Sequence, residues 1–238
     1  MPAFLVHGVP DTAMLWDELR RSLDRSDVIA PSMPGFTTPV PAGFDATKEA
    51  YATWLIAQVE AVGEPVDIVG HDWGAMLVQR LVSLRPDLVR TWAVGSGPLD
   101  SDYVWHDTAK VWQTPEAGEQ LMKALTPDAM TGALTQQGFD PAYARAVADK
   151  IDDTMKSCIL KLYRSAINVG AEWRELSAPV PPGLVIFGAD DPYVAPRFGE
   201  RLAERTGAKF VSFEGCSHWW PHQRAAEAAA LLNEHWAA

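Results

Sequence analysis

The chain has 238 residues, with 20 lysines and arginines against 31 aspartates and glutamates, and a formal net charge of −11 at pH 7. Such a surface repels a phosphate backbone and argues against nucleic acid as a partner. No apolar run approaches the roughly 20 residues of a membrane span, the start lacks a basic signal segment, and Cys158 and Cys216 have neither metal-type spacing nor a disulfide framework. The expectation is therefore a reduced, cytoplasmic protein without membrane contact, built on one sizeable core.

Short apolar runs alternate with helical spacing, which predicts a parallel sheet with crossover helices. The first strand falls at residues 3–7. Leu15, Trp16, Leu19 and Leu23 follow at helical spacing, with Asp11 or Thr12 as the cap. A second strand is expected at 28–32 and a helix at 50–62, stopped by Gly63. A third strand at 66–70 leads to a helix at 75–85, which ends before Pro86. The fourth strand spans 91–95. From Pro98 to Ala178 the pattern is helical throughout, punctuated by Pro115, Pro127, Gly138 and Pro141. This reads as a helical cap (98–178) inserted between the fourth and fifth strands of a core formed by 1–97 and 179–238. Strands at 184–187 and 209–213 and an alanine-rich helix at 225–236 complete the core.

The chemistry concentrates in four turns. Gly70-His71-Asp72-Trp73-Gly74 has the G-x-nucleophile-x-G pattern of a strained strand-to-helix corner, with Asp72 at its centre. The plainer reading of the two glycines is close strand–helix packing. His7-Gly8-Val9-Pro10 ends the first strand in a turn that can aim a backbone N–H at the corner; the Trp73 N–H would be the second donor of an oxyanion hole. Asp190 and Asp191 stand just past the fifth strand, where an α/β sheet carries its functional groups. His218 follows the last strand. Nucleophile, acid, histidine is the chain order of α/β-hydrolases, unlike that of chymotrypsin or subtilisin. His218 and His222 stand at i, i+4, but no H-E-x-x-H motif exists and Pro221 intervenes, so no metal is expected. Gly95-Ser96-Gly97 lacks the third glycine of a dinucleotide fingerprint and reads as a turn into the cap.

Together, His7-Gly8-Val9-Pro10, "GHDWGA" and "GCSHWW" resemble the α/β-hydrolase superfamily, in its aspartate-nucleophile branch of epoxide hydrolases and haloalkane dehalogenases. The likeness covers nearly the whole chain. It implies an acid three residues after the strand-end glycine, hence Asp191 rather than Asp190. Family members usually carry two strands before the H-G-x-P turn, for which six residues leave no room. The sheet should then be six-stranded and wholly parallel, with 28–32 at one edge. A carboxylate nucleophile attacks saturated carbon, so Asp72 would form an alkyl ester. His218, oriented by Asp191, would activate water against the Asp72 carbonyl carbon, and the Val9 and Trp73 N–H groups would hold the oxyanion. No cofactor is implied.

The leaving group divides the branch. Epoxide opening draws on cap tyrosines, and "LKLYRSA" resembles the segment that supplies one, implicating Tyr163. In "VWQTPEAGEQ" the second tyrosine should lie four residues before Trp112, where this chain has Thr108. Tyr103 and Tyr143 are candidate substitutes. Dehalogenation instead needs indole N–H groups or an amide for the halide: Trp73, with Trp105 or Trp112 from the cap. Val9 occupies the position where many dehalogenases carry asparagine. Trp73 and Met76 replace the arginines of fluoroacetate-type enzymes, which speaks against that activity. The expectation is a hydrolase that opens small apolar epoxides to diols, with haloalkane dehalogenase as the alternative. An esterase and a non-catalytic ligand-binding protein on the same fold rank below both. A homodimer is left open.

Overall fold

The computed structural model describes residues 1–237. Its first strand, β1 (Ala3–Val6), is buried on both faces, as a strand inside a parallel sheet must be. A short 3-10 turn (Ala13–Trp16) is capped by Thr12, whose hydroxyl accepts the Met14 N–H. It leads into α1 (Asp17–Ser22) and then β2. That strand spans only Val28–Ile29, shorter than the expected 28–32. Pro31 offers no N–H to a ladder, and the Met33 N–H beyond it bonds His7 Nε2 at 2.9 Å instead. α2 (Lys48–Glu60) starts at the Thr47 cap. β3 (Val66–His71), α3 (Trp73–Leu84) and β4 (Val89–Gly95) follow.

Between β4 and β5 lie α4 (Asp107–Gln113), α5 (Ala117–Ala124), α6 (Pro127–Gln136), α7 (Pro141–Ala148), α8 (Asp153–Ser165) and α9 (Val169–Glu172), with no strand among the described residues there. Thr126, Asp140 and Asp152 cap α6, α7 and α8 through their side chains, which explains why this stretch breaks where it does. β5 (Gly183–Gly188), α10 (Arg197–Thr206), β6 (Lys209–Phe213), α11 (Trp220–Gln223) and α12 (Ala225–Ala237) close the chain. None of these helices is long and apolar enough to cross a membrane.

The sheet has the order β2-β1-β3-β4-β5-β6, parallel throughout, with β2 at one edge. Alternate residues of each strand feed two cores. Phe4, Val6, Ile68 and Phe187 face α2, α3 and α10, together with side chains of α4, α5 and α8. Ala3, Leu5, Val69 and Ile186 face Trp16, Trp220 and Leu232, with α6 and α7 alongside. The inserted helices therefore straddle the sheet's carboxyl edge. Register brings Val6 opposite Gly70, His71 opposite Gly95 and Gly188 opposite Phe213, so all four turns singled out above emerge at that edge.

Candidate active site

Asp72 sits at the corner between β3 and α3 with φ 54° and ψ −121°, a conformation that costs a non-glycine residue of the order of 1–3 kcal/mol. The surroundings hold it there. Its N–H bonds the Gly95 carbonyl at 3.1 Å, and its own carbonyl takes the Ala75 N–H at 3.0 Å. A side chain on Gly74 would strike the carbonyls of Val6 and His7, so the helix can approach β1 only without one. Gly8 matters in the same way: a Cβ there would overlap the Asp72 carboxyl. Because it is absent, the Val9 N–H reaches Asp72 Oδ1 at 2.7 Å. Trp73 opens α3, so its N–H is among the first-turn amides without an intrahelical acceptor. The helix N-terminus also favours negative charge at this point.

His218 Nε2 lies 3.6 Å from Asp72 Oδ2, and its Nδ1 is 2.8 Å from Asp191 Oδ2. Asp191 Oδ1 is held in turn by the backbone N–H groups of Tyr193 (2.9 Å) and Val194 (3.0 Å). Asp190 makes no such contact with His218. Burial disfavours the charged imidazole, but the adjacent Asp191 and Asp72 carboxylates outweigh it and push His218 up to about 10. Burial likewise opposes ionisation of both aspartates, yet contact with His218 holds each below the ordinary carboxylate range. The resting site is thus an imidazolium between two carboxylates.

Two neutral histidines brace this arrangement. Burial lowers both His7 and His71 to about 4. His7 Nε2 accepts the Met33 N–H, leaving Nδ1–H to donate to the Gly8 carbonyl at 2.8 Å and stiffen the turn that carries Val9. His71 Nε2–H donates to the His218 carbonyl at 2.9 Å, a carbonyl that Ser96 Oγ–H also reaches at 3.3 Å. His222 points elsewhere, its ring stacked on Tyr143 and Phe139 at 4.1 and 5.2 Å between centroids.

Asp72, Val9 and His218 open into a cavity of about 210 Å³, closed on the far side by the inserted helices. Tyr163 lines it from α8, its ring 4.8 to 5.4 Å from those of Trp112, Trp105 and Trp73. Burial pushes its ionisation well above that of an ordinary phenol, so it stays protonated. The Trp73 indole N–H faces the Tyr163 oxygen without reaching hydrogen-bond geometry, and no described residue accepts the hydroxyl's own proton.

Several expected groups serve elsewhere. The Trp105 ring lines the cavity, but its N–H bonds the Ala166 carbonyl at 3.1 Å and is not free for a halide. The Trp73 ring is fully buried and does not line the cavity. Tyr103 lines it, but its hydroxyl contacts the Tyr193 carbonyl at 3.4 Å. Tyr143 lies outside, donating to the Met14 carbonyl. Thr108 is exposed on the first turn of α4 and reaches the cavity with a short side chain. Only Trp112, of the three indoles, both lines the cavity and keeps a buried N–H without a partner.

Tyr193, Gln137 and His106 also line the cavity and were not anticipated. Tyr193 packs its ring 5.1 Å from that of His218 and donates its hydroxyl to Gln137 Oε1 at 3.1 Å. Its place two residues after the acid was the available signal; nothing local marks Gln137.

Residues 3–231 match the model of the alpha/beta hydrolase family, and the chain belongs to that family. It is 25% identical to an (E)-2-((N-methylformamido)methylene)succinate hydrolase of Acinetobacter baylyi, over 80% of this chain and 73% of that one. To a haloalkane dehalogenase of Psychrobacter cryohalolentis it is 23% identical, over 97% and 82%. Among solved structures, an epoxide hydrolase from metagenomes of hot environments shares the fold, with a TM-score of 0.79 and 21% identity over 99% of this chain and 90% of that one.

Proposed function

We propose that the protein is a hydrolase acting through an alkyl ester on Asp72, with small apolar epoxides as substrates and diols as products. The observation carrying this reading is that one small apolar cavity joins the Asp72 carboxylate to the unspent Tyr163 hydroxyl. The carboxylate attacks an epoxide carbon, the C–O bond breaks, and Tyr163 supplies a proton to the departing oxygen. Neutralising Asp72 in the ester removes one of the two charges that held His218 protonated; its proton restores the Tyr163 hydroxyl, and the imidazole becomes a base. It takes a proton from water, which adds to the Asp72 carbonyl carbon. The Val9 and Trp73 N–H groups stabilise the oxyanion before it collapses to diol and free carboxylate.

A specific observation favours haloalkane dehalogenation as the second reading: the Trp112 indole N–H is buried and unpartnered at the cavity wall. Against it stands the Trp105 N–H, already committed to Ala166. Mixing the His218→Ala variant with styrene oxide tests the epoxide reading. Intact mass spectrometry should find a stable adduct on the peptide holding Asp72, while the wild type releases diol. Bromide release from 1-bromobutane without any diol from the epoxide would instead favour the dehalogenase.

A further inference from the structure

The sequence comparison leaves the epoxide reading short of one donor, because Thr108 stands where the family's second tyrosine falls. The cavity contains another candidate two residues earlier. His106 is the N-cap of α4, and its Nδ1 accepts the Ala109 N–H at 3.3 Å. A ring nitrogen that accepts carries the lone pair, so in the neutral imidazole the proton belongs to Nε2. Nε2 makes no hydrogen bond to any described residue, and the half-buried ring lines the cavity. Burial, the largest influence, lowers the pKa of His106 and favours this neutral form.

The ring's neighbours fix where it stands. Its centroid is 5.0 Å from that of Tyr193, which packs on His218, and 6.4 Å from that of Trp112, which packs on Tyr163. The imidazole thus bridges the wall behind the base and the wall that carries the phenol. Resting on the epoxide reading, we propose that His106 Nε2–H is the second donor to the substrate oxygen, paired with Tyr163. As Asp72 bonds to carbon and the epoxide C–O bond breaks, the electron pair stays on oxygen. Tyr163 gives that oxygen its proton and is restored by the one that the His218 imidazolium releases, while His106 holds the oxygen by a hydrogen bond and keeps its own proton.

The helix cap and the cavity donor can be separated. Asparagine is a strong N-cap residue, so His106→Asn retains an oxygen for the Ala109 N–H but withdraws the donor from the cavity. His106→Gln returns an N–H at about the original reach. Single-turnover reactions with styrene oxide, quenched and analysed by mass, resolve formation of the alkyl-enzyme from its hydrolysis. His106→Asn should slow formation about tenfold or more, leave hydrolysis of the ester within about twofold, and melt with the wild type. His106→Gln should recover most of the loss. Equal slowing of both steps, or no slowing in His106→Asn, overturns the assignment of His106 while the wild type still makes diol. A wild type that forms neither adduct nor diol overturns the epoxide reading and this inference with it.

Discussion

The two walls of the cavity are built on different terms. On the sheet side, Asp72, His218 and Asp191 are each fixed by main-chain contacts: Val9 N–H on Asp72, two amides on Asp191, and His71 and Ser96 on the His218 carbonyl. On the helical side, polar groups divide between those spent on structure and those left over. Trp105 and Tyr103 are spent; Tyr163 and Trp112 are not. The difference teaches that the fold prescribes the first wall, whereas on the proposed reading the choice of leaving group would rest on a few unspent donors in the second. The helical wall is itself fastened to the core. Lys48, nearly buried, donates to the Ser165 carbonyl at 2.7 Å and pairs with Glu172, while Arg201 and Arg205 clasp Asp100.

If the sheet-side wall is as tightly determined as its contacts imply, Asp191→Asn should lower turnover by roughly 10³–10⁴-fold, because the imidazolium loses its partner. Asp190→Asn should stay within about twofold in the same steady-state assay, and a reversal of the two would move the acid by one residue. On the helical wall, Tyr163→Phe should slow alkylation by an epoxide about a hundredfold. Trp105→Phe, which removes a donor already occupied by Ala166, should change it by less than about fivefold. Equal losses would erase the distinction between spent and unspent groups.

The smallest effect concerns Asp11, behind the sheet-side wall. Its carboxyl is buried, accepts the Trp219 N–H at 3.0 Å, and is raised by burial to about 7. Between about pH 4 and pH 7 the folded state therefore holds a proton that the unfolded chain has released, so stability falls as pH rises through that window. Asp11→Asn removes the penalty. Its stability advantage in urea unfolding should widen by about 3 kcal/mol from pH 5 to pH 8, from about two pKa units at roughly 1.4 kcal/mol each. An advantage independent of pH would mean that Asp11 ionises normally.

The two walls were also unequally legible in the sequence. The six-stranded parallel sheet and the elbow could be read because strict local requirements shape them: glycine where a Cβ would strike backbone, short apolar strands, a fixed order of turns. The helical wall follows from tertiary contacts that leave no local pattern. Trp105 looked available because its acceptor, the carbonyl closing α8, lies 61 residues away. Tyr143 looked like a substitute donor, yet α7 turns it toward Met14. His106 went unnoticed because an N-cap histidine resembles any polar residue before a helix. α10 was passed over because its apolar positions, Phe198 and Leu202, are few among charged neighbours.

The resting imidazolium between two carboxylates has a consequence for timing. With His218 raised to about 10, the resting site near neutral pH holds the imidazole in its protonated form. On the proposed reading, turning Asp72 into a neutral ester removes one of the charges that kept the proton on His218. Epoxide opening also consumes a proton overall, and the imidazolium has one to release. The second half-reaction is thereby armed by completion of the first: an electrostatic interlock in which the covalent intermediate is its own trigger. Halide departure consumes no proton, so a dehalogenase built on this site would have to send that proton to solvent before each hydrolysis.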